Sequence, residues 1–151
     1  MEKGLYYLTI PYRGTEDQKA ARLQLARQAV FGFLNRGILV FAPVIYINHI
    51  YETMGMPTLD NRREVVTNLT FEVLKASKGL ILLTADGWQD SEGVRRALEH
   101  CQEHHIPVFT ISPDQLKGDL SGALSDVFHE VDIDQLMQLD TDNPHSFKST
   151  I

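Results

Sequence analysis

The chain is poor in cysteine: Cys101 stands alone among 151 residues, so no internal disulfide forms and nothing points to an oxidising compartment. Positive charge is also scarce, with 14 Lys and Arg against 20 Asp and Glu for a net charge of −6. Proteins that grip a phosphate polymer normally carry a lysine- and arginine-rich face, so this balance speaks against a nucleic-acid partner. A small anionic ligand stays open, because one helix end and one or two arginines hold such a group. Long apolar runs are missing: no stretch approaches the ~18 residues that a membrane span needs. Met1-Glu2-Lys3-Gly4 leads straight into a strand and lacks the pattern of a signal peptide. No internal repeat or low-complexity tract is visible. The expectation from these absences is a cytoplasmic protein without a membrane partner.

What remains is an ordinary globular composition, 43% hydrophobic and 23% charged. The length suits one domain, expected over residues 1–140, followed by a polar tail at 141–151. Leu5–Ile10 is an aromatic and aliphatic strand broken by Pro11. Thr15 or Asp17 caps a helix running to about Arg36, with Ala20, Leu23, Ala26, Val30, Phe33 and Leu34 at helical spacing and Gly37 as its C-terminal cap. Ile38–Phe41 is strand two, stopped by Pro43, and a short helix around Tyr46–Tyr51 precedes the loop Gly55-Met56-Pro57. Asn61–Lys75 reads as a helix, Gly79–Thr84 as strand three, Ser91–His105 as a helix and Pro107–Ile111 as strand four. Phe128–Ile133 is a weaker fifth strand.

Strands that alternate with helices, and that are apolar throughout instead of alternating, belong to a parallel sheet covered on both faces. The expected fold is α/β: a single flavodoxin- or Rossmann-like domain with a parallel five-stranded sheet of order 2-1-3-4-5 and helices on both faces. That order puts the topological switch point between strands one and three. Two distinctive loops meet there, Pro11-Tyr12-Arg13-Gly14 and the turn Thr84–Gly93.

In the second loop Asp90 or Ser91 caps the next helix, whose opening N–H groups belong to Glu92, Gly93 and Val94. Gly93 lets a ligand approach the backbone closely. With the Ser91 hydroxyl, these groups make a compact seat for a 5′-phosphate or a sugar hydroxyl, and the alternative is a plain helix cap. In the first loop Tyr12 offers a ring for stacking on a base and Arg13 a planar fork for a phosphate; a tight surface turn explains the same residues. Trp88 is either a pocket wall or the hydrophobic cover of its own turn. His49, beside Asn48, either reaches the crevice or closes a turn. His100 and His104 have metal-ligand spacing, but no third ligand follows at a telling distance, so they read as surface histidines and no metal or cofactor is expected. Cys101 has no catalytic context, and no Ser–His–acid pattern can be drawn.

These segments together resemble the nucleoside 2-deoxyribosyltransferase-like superfamily, and most of all a small bacterial and phage branch of it. The residues that carry the likeness are Leu8-Thr9-Ile10-Pro11-Tyr12, Arg22, Val40-Phe41-Ala42-Pro43-Val44 leading to His49, and Gly87-Trp88-Gln89-Asp90-Ser91-Glu92-Gly93-Val94-Arg95-Arg96. The likeness spans about two-thirds of the chain, from strand one to about Ile111. It implies cleavage or transfer at an N-glycosidic bond of a nucleoside or nucleoside 5′-monophosphate. In that superfamily a glutamate four residues after the motif glycine attacks the anomeric carbon, a task suited to a carboxylate. Ser91 and Gly93 would seat the 5′ end, and Pro11, Tyr12 and Arg13 would face the base. Pocket completion across subunits implies a homodimer or larger assembly.

The expected nucleophile position is held by Ala97. Glu99 lies two residues on, turned by about 200° around the helix. Thr70 stands where the superfamily's second acid aligns, and Asp86 is the nearest carboxylate on the crevice edge. Three explanations are open: an inactivating change at Ala97, a natural non-catalytic relative that binds or senses nucleotides, or a register in which Glu99 or Asp86 does the chemistry.

Overall fold

The computed structural model describes residues 3–55, 63–117 and 129–142. Five strands form one sheet, β1 (Leu5–Thr9), β2 (Leu39–Phe41), β3 (Gly79–Leu83), β4 (Val108–Ile111) and β5 (His129–Val131), in the order β2-β1-β3-β4-β5. Six helices accompany it among the described residues: α1 (Glu16–Leu34), α2 (Pro43–Thr53), α3 (Arg63–Lys75), α4 (Glu92–His104), α5 (Pro113–Lys117) and α6 (Ile133–Asp142). The architecture is the α/β fold with order 2-1-3-4-5 that the apolar strands dictate. None of the described helices is long and apolar enough to cross a membrane.

Strand geometry sends successive side chains to opposite faces, and both faces here are buried. Tyr6, Leu8, Ile10, Ile81 and Leu83 join Ala26, Ala29 and Phe33 of α1 in one core; Tyr7, Leu80 and Leu82 join Leu74 of α3 and Val94, Ala97, Leu98 and Cys101 of α4 in the other. Ala26 and Ala29 let α1 lie close on the sheet. Thr15 starts α1 with a capping box: its hydroxyl accepts from the Gln18 N–H, and the Gln18 side chain accepts from the Thr15 N–H. Gly37, with φ +78°, turns the chain back into β2.

Three expectations need correction. The helix expected around Tyr46–Tyr51 is longer, because Pro43 both ends the strand and supplies the pre-set φ of a first helical residue. The fifth strand runs antiparallel to β4, pairing His129 with Thr110 and Val131 with Val108. β5 thus enters the sheet beside the C-terminal end of β4 and runs back along it. Finally, Ile133 belongs to a helix and not to the strand, because the Asp132 carboxylate accepts from the N–H groups of Asp134 and Gln135 and caps α6. Phe128, Asn61, Arg62, Met56, Pro57 and residues 143–151 of the expected tail lie outside the described residues.

Candidate functional site

A cleft of about 560 Å³ opens at the C-terminal ends of β1 and β3, where the strand order reverses. Open α/β sheets bind ligands at this position, because neighbouring loops part to opposite faces there. Its rim on one side is the loop after β1. Pro11 is buried, and the Tyr12 hydroxyl donates to Asn48 Oδ1 at 2.8 Å, while Asn48 Nδ2 donates to the Val44 carbonyl at 2.7 Å. The Lys19 ammonium sits 6.0 Å from the centre of the Tyr12 ring. Burial, with the charges of Glu52 and Glu16, pushes the Tyr12 phenol above its ordinary value, so it stays a neutral donor. Tyr12 is thus held from both α1 and α2 before any ligand arrives.

The opposite rim is the start of α4. Ser91 caps it, its Oγ accepting from the Val94 N–H at 3.3 Å. A helix leaves its first N–H groups without intrahelical partners and carries a partial positive charge at this end, and Ser91, Glu92 and Gly93 all line the cleft. A methyl group built on Gly93 would meet nothing closer than Ser91 Oγ at 3.9 Å. The absence of a side chain at Gly93 is therefore not forced by the protein's own packing. One helical turn further, the Arg96 guanidinium donates to the Glu92 carboxylate at 2.5 Å, and Ala97 forms part of the floor at 3% exposure. Arg95 is held on the other side by Glu99 at 3.1 Å.

The floor and remaining wall come from β1 and α3. Burial pushes the Tyr7 phenol up to about 12, partly offset by its hydrogen bond with Thr70. The Thr70 hydroxyl in turn donates to the Thr67 carbonyl at 2.9 Å. Phe71 completes this wall and stacks on His100, with ring centroids 5.1 Å apart and planes 8° from parallel.

The structure gathers Pro11, Tyr12, Arg13, Arg22, Ser91, Gly93 and Ala97 around this one cleft. It does not bring Asp86, Trp88 or His49 into the lining. Asp86 is exposed and contributes its carbonyl, which accepts from Arg22 at 2.8 Å. Trp88 packs on the α3–α4 core and so covers its own turn. His49 is an exposed residue of α2 outside the cleft lining, and its neighbour Asn48 makes the link to the loop. Glu99 is likewise exposed, on Arg95. Thr70 was singled out in the sequence only as standing where the superfamily's second acid aligns, and the wall it forms with Thr67 and Phe71 was missed; their i, i+3, i+4 spacing on one helix face was the available signal. The ion pair between Arg96 and Glu92 was also missed. Among the described residues no group of three or more His, Cys, Asp or Glu comes together to hold a metal ion, and His100 and His104 are simply neighbours, 4.2 Å between ring centroids.

A doubly wound α/β domain with a mainly apolar, partly aromatic cleft, rimmed by polar side chains, at its switch point defines the class. The same fold occurs in a 2-deoxyribosyltransferase from the psychrotolerant bacterium Bacillus psychrosaccharolyticus, described as a biocatalyst for the synthesis of antiviral and antitumoral nucleosides. That structure is 20% identical, with a TM-score of 0.51, and the match covers 72% of each chain. The chain itself belongs to the DUF1937 family, a domain of unknown function, whose family model matches residues 4–113. No curated protein matches it.

Proposed function

We propose that the cleft binds a nucleoside or nucleoside 5′-monophosphate and that the chain is a nucleotide-binding or nucleotide-sensing module. The observation that carries this reading is the open approach at Gly93 beside the Ser91 cap. A glycine in a helix is costly relative to alanine, by roughly 1 kcal/mol in an interior position, and no packing in the protein requires it here. A ligand that comes against this backbone supplies the reason. Ser91 and the first turn of α4 seat the phosphate or 5′-hydroxyl, Arg13 adds a cation, and the fixed ring of Tyr12 faces the base. Ala97, buried at the floor, offers no nucleophile at the position where the superfamily has its glutamate, which favours binding without turnover.

A second reading is that of an enzyme cleaving or transferring at the N-glycosidic bond. It is favoured by Asp90 and Glu92, the carboxylates among the described lining residues. Incubation of the protein, Ala97→Glu and Glu92→Gln with a panel of nucleosides and monophosphates separates the two. Binding without free base by the unaltered protein supports the module; base release abolished by Glu92→Gln supports the enzyme. Base release by Ala97→Glu alone marks a fold that lacks only its acid. Absence of binding to any member of the panel, by calorimetry, defeats both.

The site also suits a homodimer or larger assembly. Tyr46 and Ile50 form an exposed stripe along α2 that Met54 continues just past its end, and Val65 and Leu69 a second on α3, the two helices that flank the cleft. A second copy is the occupant proposed for these faces. A monomeric mass by light scattering at micromolar concentration counts against it.

A further inference from the structure

We infer that Arg22 is a positioning residue that ties the two cleft loops to each other, not a group that pairs with the ligand's charge. It rises from the second turn of α1 into the switch point. One guanidinium nitrogen, Nη1, donates to the Arg13 carbonyl in the loop after β1. The other, Nη2, donates to the Asp86 carbonyl in the turn after β3, at 2.8 Å. One planar group thus joins two loops 73 residues apart in sequence (86 − 13).

Both loops carry a glycine against this group. A methyl group built on Gly14 would lie 3.1 Å from Arg22 Nη1 and still closer to the Gln18 side chain, and one built on Gly87 would lie 3.1 Å from Nη2. The two glycines leave the space that the guanidinium fills. Gly87 also has φ +87°, which lets the turn present the Asp86 carbonyl before the helical residues Trp88–Asp90 begin. The capping box at Thr15 and Gln18 anchors the helix from which Arg22 projects. An arginine is needed here, because its rigid fork reaches two acceptors in different directions, whereas a lysine ammonium is a single point. Tyr12 and Arg13 on one side and Ser91 and Gly93 on the other are kept at a fixed separation by this tie.

The affinity part of the inference rests on the cleft taking a nucleotide; the tie itself does not. Trp88, the one tryptophan in the chain, stands two residues after Asp86 and reports on the turn. Acrylamide quenching of Trp88 is compared in the unliganded protein, Arg22→Ala, Arg22→Lys and Gly14→Ala, well below the unfolding temperature. Calorimetry measures binding of 2′-deoxyadenosine and its 5′-monophosphate. The expected result is faster quenching in all three variants. Affinity should fall about tenfold for both ligands alike, the scale of a lost charge-assisted hydrogen bond, with lysine failing to rescue. Unchanged quenching overturns the tie. So does a loss confined to the monophosphate and recovered by Arg22→Lys, which marks a phosphate ligand. If neither compound binds the unaltered protein, the affinity comparison moves to a member of the panel that does, the proposed function falls only if none binds, and quenching still decides the tie. Should Arg22→Ala fold poorly, Arg22→Lys and Gly14→Ala carry the comparison.

Discussion

Gly93→Ala separates stability from binding in opposite directions. The backbone at Gly93 lies within α4 and is not among the glycines of positive φ, so alanine fits without strain. The added methyl meets only Ser91 Oγ, at an ordinary contact distance of 3.9 Å. Replacing glycine by alanine at a compatible site stabilises a protein by about 0.4–1 kcal/mol, mostly by restricting the unfolded chain. The first turn of a helix belongs at the lower end of that range, since one flank is already non-helical. About 0.5 kcal/mol corresponds to a rise in Tm of about 1–2 °C for a chain of this size. The same methyl stands in the cleft, where a ligand seated on the helix end has to withdraw. Overpacking of this kind costs about 1–3 kcal/mol, a loss of about tenfold or more in affinity. Scanning calorimetry and titration calorimetry on the same sample give both numbers. A raised Tm with unchanged nucleotide affinity refutes the role of Gly93 in ligand approach. A lowered Tm refutes the account of the helix start.

Further outcomes follow from the same geometry. Gly87→Ala forces a side chain to φ +87° and against Arg22, and should cost about 1–3 kcal/mol, read as a lower urea midpoint. Ser91→Ala removes the cap of α4 and should cost about 1 kcal/mol, with a drop in nucleotide affinity larger than that for Thr15→Ala, which removes a cap remote from the α4 end. Burial, with the charge of His104, holds His100 below its ordinary value of 6.5; Lys75 adds to this, while Glu103 and Glu72 act against it. The folded protein therefore resists a proton that the unfolded chain accepts. The contribution of His100 is complete above pH 6.5 and declines as pH falls through that value towards the lower folded one, and His100→Gln should flatten the urea-midpoint profile there. Burial pushes the Cys101 thiol up to about 12, so iodoacetamide at pH 8 should label it only after unfolding.

The two rims of the cleft were legible in the sequence because each interrupts an apolar run with local chemistry. Pro11 stops β1, and Ser91 caps a helix with an unmistakable amphipathic face. Strand order followed from the same apolar runs. What escaped depends on where a helix face turns after packing. Thr67, Thr70 and Phe71 form a wall only because α3 lies across β1, and no local rule fixes that rotation. Trp88 has two plausible directions in one turn, and only the packing of α3 and α4 selects the inward one. Arg22 was legible as a residue of the site but not as a tie, since its acceptors are backbone carbonyls that every residue possesses.

The reversed direction of β5 has a consequence for solubility. Val108-Phe109-Thr110-Ile111 is an apolar segment of high β-propensity, and a sheet ending there would offer a row of unpaired N–H and C=O groups to any passing strand. β5 occupies that row with only three residues, His129, Glu130 and Val131. The outer edge that replaces it is short, carries an exposed carboxylate at Glu130, and gives way at once to the Asp132 cap. A brief, charged border strand is how sheet proteins avoid edge-to-edge association, so this stretch outside the family match works as a guard against self-templated aggregation.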